Sequence, residues 1–168
     1  ENTVLLIMTA SHQKNLVLAE TVAAAASHMG IENRVLDLTS LEIGLYSSRQ
    51  HETGPGQDFA QLQSAMTAAD GLWVCAAEYN GGVPPTLGSA IAWLSTECDD
   101  FREMFTGLPV ALSTHSGGGG QKVLTTMRTQ FAHLGSTVLG RELASSDWKE
   151  ANPDSISAML TALQKLMN

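Results

Sequence analysis

Three short stretches of this chain carry the residue types from which a ligand site is built: residues 9–15 (TASHQKN), 78–85 (EYNGGVPP) and 113–120 (STHSGGGG). The first offers Ser11, Gln13 and Asn15 as donors or helix caps, with Lys14 as a nearby cation. A loop that opens into a helix exposes N–H groups at the positive end of the helix dipole, which suits an anion such as phosphate. Each hydrogen bond to a charged group there is worth about 1.5–3 kcal/mol. A plain N-cap by Ser11 or Asn15 accounts for the same residues, and on this loop alone it is the simpler reading.

In the second stretch Gly81 and Gly82 free the backbone, and Pro84 and Pro85 stiffen it again, with Pro85 suited to the first position of a helix. Such a loop presents fixed main-chain N–H groups. The third has four consecutive glycines, Gly117 to Gly120, ahead of a helical pattern. Glycine costs about 1 kcal/mol relative to alanine in regular structure, so the run implies close backbone approach to something flat or anionic. A flexible linker is the competing reading, and the position between a strand and a helix disfavours it. One loop cradling a phosphate and two offering amides to a planar ring describe a mononucleotide site.

Other chemistries find less support. The chain has no G-x-G-x-x-G after its first apolar run, so the glycines are no dinucleotide fingerprint. His115 and Ser116 are adjacent, a spacing that rarely gives nucleophile–base geometry, and HSGGG is not the G-x-S-x-G elbow. His12, His28, His51, His115 and His133 show no i,i+4 pairing and no nearby cysteine, so no protein-built metal site is expected. Cys75 lies inside an apolar run and reads as a small core residue, while Cys98 has no assigned role.

The three stretches are held by a repeating pattern. Strand-length apolar runs at 3–9, 32–38, 71–77, 108–114 and 136–140 alternate with helical patterns at 15–30, 58–70, 85–95, 121–135 and 154–167. Runs such as LLIM at 5–8 are apolar on both faces, as a parallel sheet covered by helices on each side requires. The expectation is a doubly wound α/β sheet of five strands, and in such sheets ligands bind beyond the carboxyl ends of the strands. All three polar loops fall there. Residues 39–56 are too long for a tight connection and are either functional or a mobile insertion.

At 168 residues, the chain suits a single domain spanning 1–168. A net charge of −8 with nine Lys+Arg argues against nucleic acid and against an anionic membrane surface. No apolar run is long enough to span a bilayer, and the first residues lack the features of a signal peptide, so a cytoplasmic protein is expected.

The segment AADGLWVCAAEYNGGVPPTLGSAIAWLS (68–95) resembles the NADPH-dependent FMN reductase family of flavodoxin-like proteins. The similarity extends to LDLTSLEIGLYS before it and STHSGGGGQKVLTTMRTQFAHLGSTVLG after it. The resemblance implies a sheet of order 2-1-3-4-5, bound FMN, NADPH or NADH as co-substrate, and a homodimer or homotetramer with Trp93 at a subunit contact. Carried over by position, Ser11, Lys14, Asn15 and Leu16 surround the phosphate, and Glu78, Tyr79, Asn80, Gly81 and Gly82 flank the isoalloxazine. His115, Ser116, Gly117 and Gly118 border its pyrimidine side. The implied reaction passes hydride from a nicotinamide to the flavin and on to a quinone, free flavin, azo compound or metal oxyanion, with no obligatory acid–base residue. This chain departs from the family pattern in three places. Its first loop is shorter and lacks an arginine, which leaves Lys14 or His12 as the nearest cation. Ala77 replaces a proline, and Gly88-Ser89 replaces a Lys-Asn pair. A flavodoxin-like electron carrier and a flavin-binding module without reductase activity remain as alternatives.

Overall fold

The computed structural model describes residues 2–168. Its elements run β1 (Val4–Thr9), α1 (Lys14–His28), β2 (Glu32–Asp37), a single 3-10 turn (Leu38–Ser40), α2 (Ser48–Thr53), α3 (Phe59–Ala68), β3 (Gly71–Cys75), α4 (Pro85–Thr96), β4 (Pro109–His115), α5 (Gln121–His133), β5 (Thr137–Val138), β6 (Leu143–Ser145) and α6 (Pro153–Met167). The strands pair in parallel in the order β2-β1-β3-β4-β5, with β6 also on β4. This is the flavodoxin-like doubly wound sheet expected from the sequence, with helices on both faces.

Alternation along each strand sorts its side chains between two cores. Leu6 and Met8 of β1, Leu72 and Val74 of β3, and Val110 and Leu112 of β4 pack on one face with α3, α4 and α5. Leu5, Ile7, Trp73, Cys75 and Ala111 pack on the other with α1 and α6. Both faces are therefore dry, and each fully buried leucine or isoleucine contributes about 1.5–3 kcal/mol. Burial pushes the Cys75 thiol up to about 12, partly offset by its contact with the Ser113 hydroxyl, so Cys75 is a core residue as expected.

The sheet differs from the expectation at its far edge. The short fifth strand pairs only Pro109 and Val110, and β6 takes over the partnership with Ser113, Thr114 and His115. Between them the chain breaks out around Arg128 of α5, which donates to Leu139 O at 2.7 Å and pairs with Glu142 at 3.1 Å. A strand three residues long, LAS, has too little pattern to read from sequence.

The 39–56 segment is packed against α4 rather than standing clear of the body. Trp93 of α4 donates from Nε1 to Gly44 O at 2.7 Å, and Ser89 Oγ accepts from Tyr46 N at 2.8 Å. The Tyr46 ring stands edge-on to Trp93 with centroids 5.0 Å apart. Ser47 caps α2, which lies within this segment. A side chain at Gly44 would press on Gln50 at 2.9 Å, so the segment is packed tightly against itself. Trp93 is consequently 0% exposed within its own chain, which leaves no indole surface for the subunit contact that the resemblance implies.

No helix among the described residues is long and apolar enough to cross a membrane.

Candidate functional site

The loops after β1, β3 and β4 meet at the carboxyl edge of the sheet because their residues tie them together. Ser11 Oγ accepts from Ala77 N at 3.0 Å, which joins the first loop to the second. Asn15 joins the first to the third: its Oδ1 accepts from His115 N at 2.9 Å and its Nδ2 donates to His115 O at 3.0 Å. Thr86 at the start of α4 donates to Ala10 O. The loops enclose a cleft of about 260 Å³ walled by residues including Ser11, Lys14, Asn15, Glu78, Tyr79, His115, Ser116 and Gly117. The sequence-derived residues thus converge, with Asn80, Gly81, Gly82, Gly118 and Leu16 beside them in chain.

The amino end of α1 has no side-chain cap, and Gln13, immediately before it, sits at φ 55° and ψ −109°. A non-glycine residue held there stores on the order of 1–3 kcal/mol of backbone strain. The N–H groups of Lys14, Asn15 and Leu16 have no acceptor among the described residues, so the first turn faces the cleft with donors and dipole unspent. The N-cap reading of Ser11 and Asn15 is therefore excluded by where their side chains go: one to Ala77 and the other to His115.

The Glu-Tyr-Asn-Gly-Gly stretch is a tight hairpin. Tyr79 and Gly82 exchange two backbone hydrogen bonds, of 3.0 and 2.9 Å, across Asn80 and Gly81 at φ 53° and 77°. Asn-Gly with both φ values positive is the preferred two-residue turn, a signal present in the sequence that the loop reading overlooked. The amides of Tyr79 and Gly82 are spent inside the hairpin, and Tyr79 is 48% exposed. Glu78 turns away from the hairpin, and its Oε1 accepts from Val123 N at 3.0 Å, capping α5.

The four glycines divide into two pairs. Gly119 and Gly120 have φ 90° and 76°, and a Cβ on Gly120 would strike Thr114 Cγ2 and stand 3.0 Å from Ser116 Oγ, so the fold itself requires them. Gly117 and Gly118 have no positive φ, and a Cβ would meet nothing within 4 Å at Gly117 and only Glu78 Oε2, at 3.8 Å, at Gly118. The fold leaves this pair bare, as a surface for a flat group demands. Ser116 Oγ, in the wall of the same cleft, is buried with no partner. Unpaired buried hydroxyls are uncommon, and the neighbouring Thr114 Oγ1, outside the cleft wall, is a second one.

Charge around the cleft comes from two histidine–aspartate pairs and one lysine. His12 Nδ1 lies 3.1 Å from Asp37 Oδ2, His115 Nε2 lies 3.1 Å from Asp147 Oδ1, and Lys14 Nζ lies 3.8 Å from that same oxygen. Asp37 and Asp147 escaped the sequence reading. Asp147 follows β6, the strand that the periodicity did not disclose. A larger cleft of about 540 Å³ opens at the amino edge of the sheet, around Gln63, Thr67, Glu97, Cys98, Asp99 and Glu103. Burial and the neighbouring carboxylates, Glu103 first among them, raise the Cys98 thiol above its usual range, so it is no activated nucleophile.

Several solved structures share this fold. An oxidoreductase from Corynebacterium diphtheriae is 16% identical with a TM-score of 0.75, over 99% of this chain and 97% of that one. FerB, a flavoenzyme NAD(P)H:(acceptor) oxidoreductase from Paracoccus denitrificans, is 17% identical with a TM-score of 0.75, over 98% and 95% of the two chains. A flavodoxin from the domain Archaea is 10% identical with a TM-score of 0.68, over 99% and 100%. No curated protein matches the chain by sequence. The sequence pattern described as NADPH-dependent FMN reductase matches residues 3–150. That match covers most of the chain, which is therefore a member of the NADPH-dependent FMN reductase family, with FMN as its cofactor and NAD(P)H as electron donor.

Proposed function

We propose that the cleft at the carboxyl edge of the sheet is the FMN site and that residues 1–168 act as one flavin-binding domain. The observation that carries the reading is the convergence of an uncapped helix, an unpartnered Ser116 hydroxyl and the bare Gly117–Gly118 pair on one cleft. The N–H groups of Lys14, Asn15 and Leu16 donate to the phosphate, and the Ser11 hydroxyl, whose oxygen already accepts from Ala77, adds its proton. Lys14 and His12 supply the positive charge that an arginine gives elsewhere in the family. Asn15 contributes its backbone N–H, since its side chain is committed to His115. Tyr79, Asn80, Gly81 and Gly82 wall the ring on one side, with Glu78 holding α5 in place behind them. Gly117 and Gly118, backed by the amino end of α5, present amides toward the ring's pyrimidine edge, where negative charge develops on reduction, while His115 and Ser116, whose amides are spent on Asn15 Oδ1 and Ser145 O, border that edge.

Bound FMN supplies the two-electron chemistry, taking hydride from a reduced nicotinamide and passing electrons to an acceptor. The protein's part is to fix the ring against the bare glycines and to leave its outer face open to small planar partners. The acceptor class is a quinone, free flavin, azo compound or metal oxyanion, in line with the unspecified acceptor in FerB's description. A homodimer or homotetramer is the working assembly, through surfaces other than the Trp93 indole.

The deciding experiment is an anaerobic titration of the apoprotein with FMN, then NADPH and NADH, read by flavin absorbance. Tight binding followed by rapid bleaching is expected. Binding without bleaching by either nicotinamide would favour an electron carrier, and absence of binding would overturn the site.

A further inference from the structure

Asp147 is the one carboxylate in the wall of the cleft that is not committed to a backbone cap, and it lies against both Lys14 and His115. Its Oδ1 stands 3.1 Å from His115 Nε2 and 3.8 Å from Lys14 Nζ, so one carboxylate oxygen bridges the residue that begins α1 and the residue that ends β4. Lys14, His115 and Asp147 also wall a second groove of about 440 Å³, with Val17, Thr21 and Glu150, so the trio separates two cavities. His12, across the first loop, is paired in the same manner with Asp37 outside this trio.

An oxyanion drawn in by the free amides of α1 would meet the Lys14 ammonium that Asp147 faces. The Asp147 carboxylate already has that chemistry, a planar group of anionic oxygens on Lys14 and His115. It is not anchored as a core ion pair would be. Its side chain is 62% exposed, and it rides on a short turn closed only by the Ser146–Lys149 bridge, with Trp148, 81% exposed, at the tip. Short loops held by one bridge open at little cost.

We infer that Asp147, held in place by His115, is an internal counter-anion of the phosphate subsite, a latch on Lys14 that the cofactor's phosphate must displace. The inference rests on the FMN reading of the cleft and deepens it: in a chain whose phosphate loop has no arginine, Asp147 sets how strongly a phosphorylated flavin is preferred over the same flavin without phosphate. Two like charges cannot share Lys14 without repulsion, so the carboxylate weakens FMN and leaves riboflavin untouched.

The test compares FMN and riboflavin dissociation constants, by quenching of flavin fluorescence, for the wild type, Asp147→Asn and Asp147→Lys. Removing one solvent-exposed charge interaction should tighten FMN about fivefold, the scale of a surface ion pair, and reversing it should tighten FMN further. Riboflavin should bind all three proteins alike, and the FMN differences should shrink in 1 M salt, where the Debye length is about 3 Å. Equal or weaker FMN binding by Asp147→Asn would overturn the latch and make Asp147 a positioning residue for Lys14 and His115. If neither FMN nor riboflavin binds any of the three proteins, the cofactor reading itself fails and the latch falls with it. Binding of FMN without the expected order of affinities overturns the latch alone.

Discussion

Asn15 holds the site together, and replacing it by alanine separates that role from direct contact with a ligand. The side chain is 2% exposed and makes two hydrogen bonds to the backbone of His115, at 2.9 and 3.0 Å. Each such bond is worth about 0.5–1.5 kcal/mol net, and an orphaned buried donor or acceptor raises the cost toward 1–3 kcal/mol. Water can reach His115, whose side chain is 19% exposed, so the loss for Asn15→Ala should be about 2–3 kcal/mol in total. For a chain of this size that corresponds to a fall in Tm of roughly 4–12 °C. FMN affinity should fall with it, because the amino end of α1 and the bare glycines lose their fixed separation. The assay is thermal unfolding of the apoprotein beside an FMN titration. Asn15→Asp is the sharper variant: one carboxylate oxygen still accepts from His115 N, but the other faces the His115 carbonyl and adds charge beside the phosphate subsite. A Tm within 1 °C of wild type for Asn15→Ala, with FMN affinity nonetheless lost, would refute the tie and make Asn15 a direct ligand.

Gly120→Ala should destabilise by at least 1–2 kcal/mol from its positive φ alone, with the Thr114 contact adding to it, whereas Gly117→Ala should leave Tm nearly unchanged and weaken FMN. Equal stability losses at the two positions would contradict the division of the glycine run. Trp93→Ala should cost about 3–5 kcal/mol in urea unfolding, through the emptied core and the released 41–57 segment; loss of subunit association with unchanged monomer stability would instead restore the indole to an interface. The Cys75 thiol, pushed from 9.0 to about 12 by burial, stays protonated in the folded chain while the unfolded chain ionises near 9. The unfolded state thus binds fewer protons between pH 9 and 12, so stability falls with rising pH across that window, by on the order of 1 kcal/mol per unit at most. Cys75→Ala should remove that slope in denaturant titrations, and an unchanged slope would place its origin elsewhere.

The fold was legible because its signals are local and redundant. Leu5 to Met8 and Leu72 to Cys75 are apolar at every position, which only a strand covered on both faces accommodates, and the alanine-rich pattern after Asn15 can bury one stripe and little else. β6 was not legible: Leu143–Ser145 is too short to show a period, and its strand character comes from β4 having edge left over beyond β5. The floor of the site was half legible. Four glycines announce special backbone, but which pair serves the fold and which serves a ligand depends on Thr114 and Ser116 lying beneath Gly120.

Residue types and spacing alone determined the alternation of strands and helices, the side of the sheet where the polar loops gather and the three loops that wall the cleft, because hydrophobic period and turn chemistry act between near neighbours. Tertiary structure decided what each polar side chain is for. Asn15 reaches a residue 100 positions away, Glu78 one 45 positions away and Asp147 one 32 positions away. A hydrogen-bonding group is spent on whatever lies within about 3 Å of it, and sequence does not contain that distance until the sheet has closed.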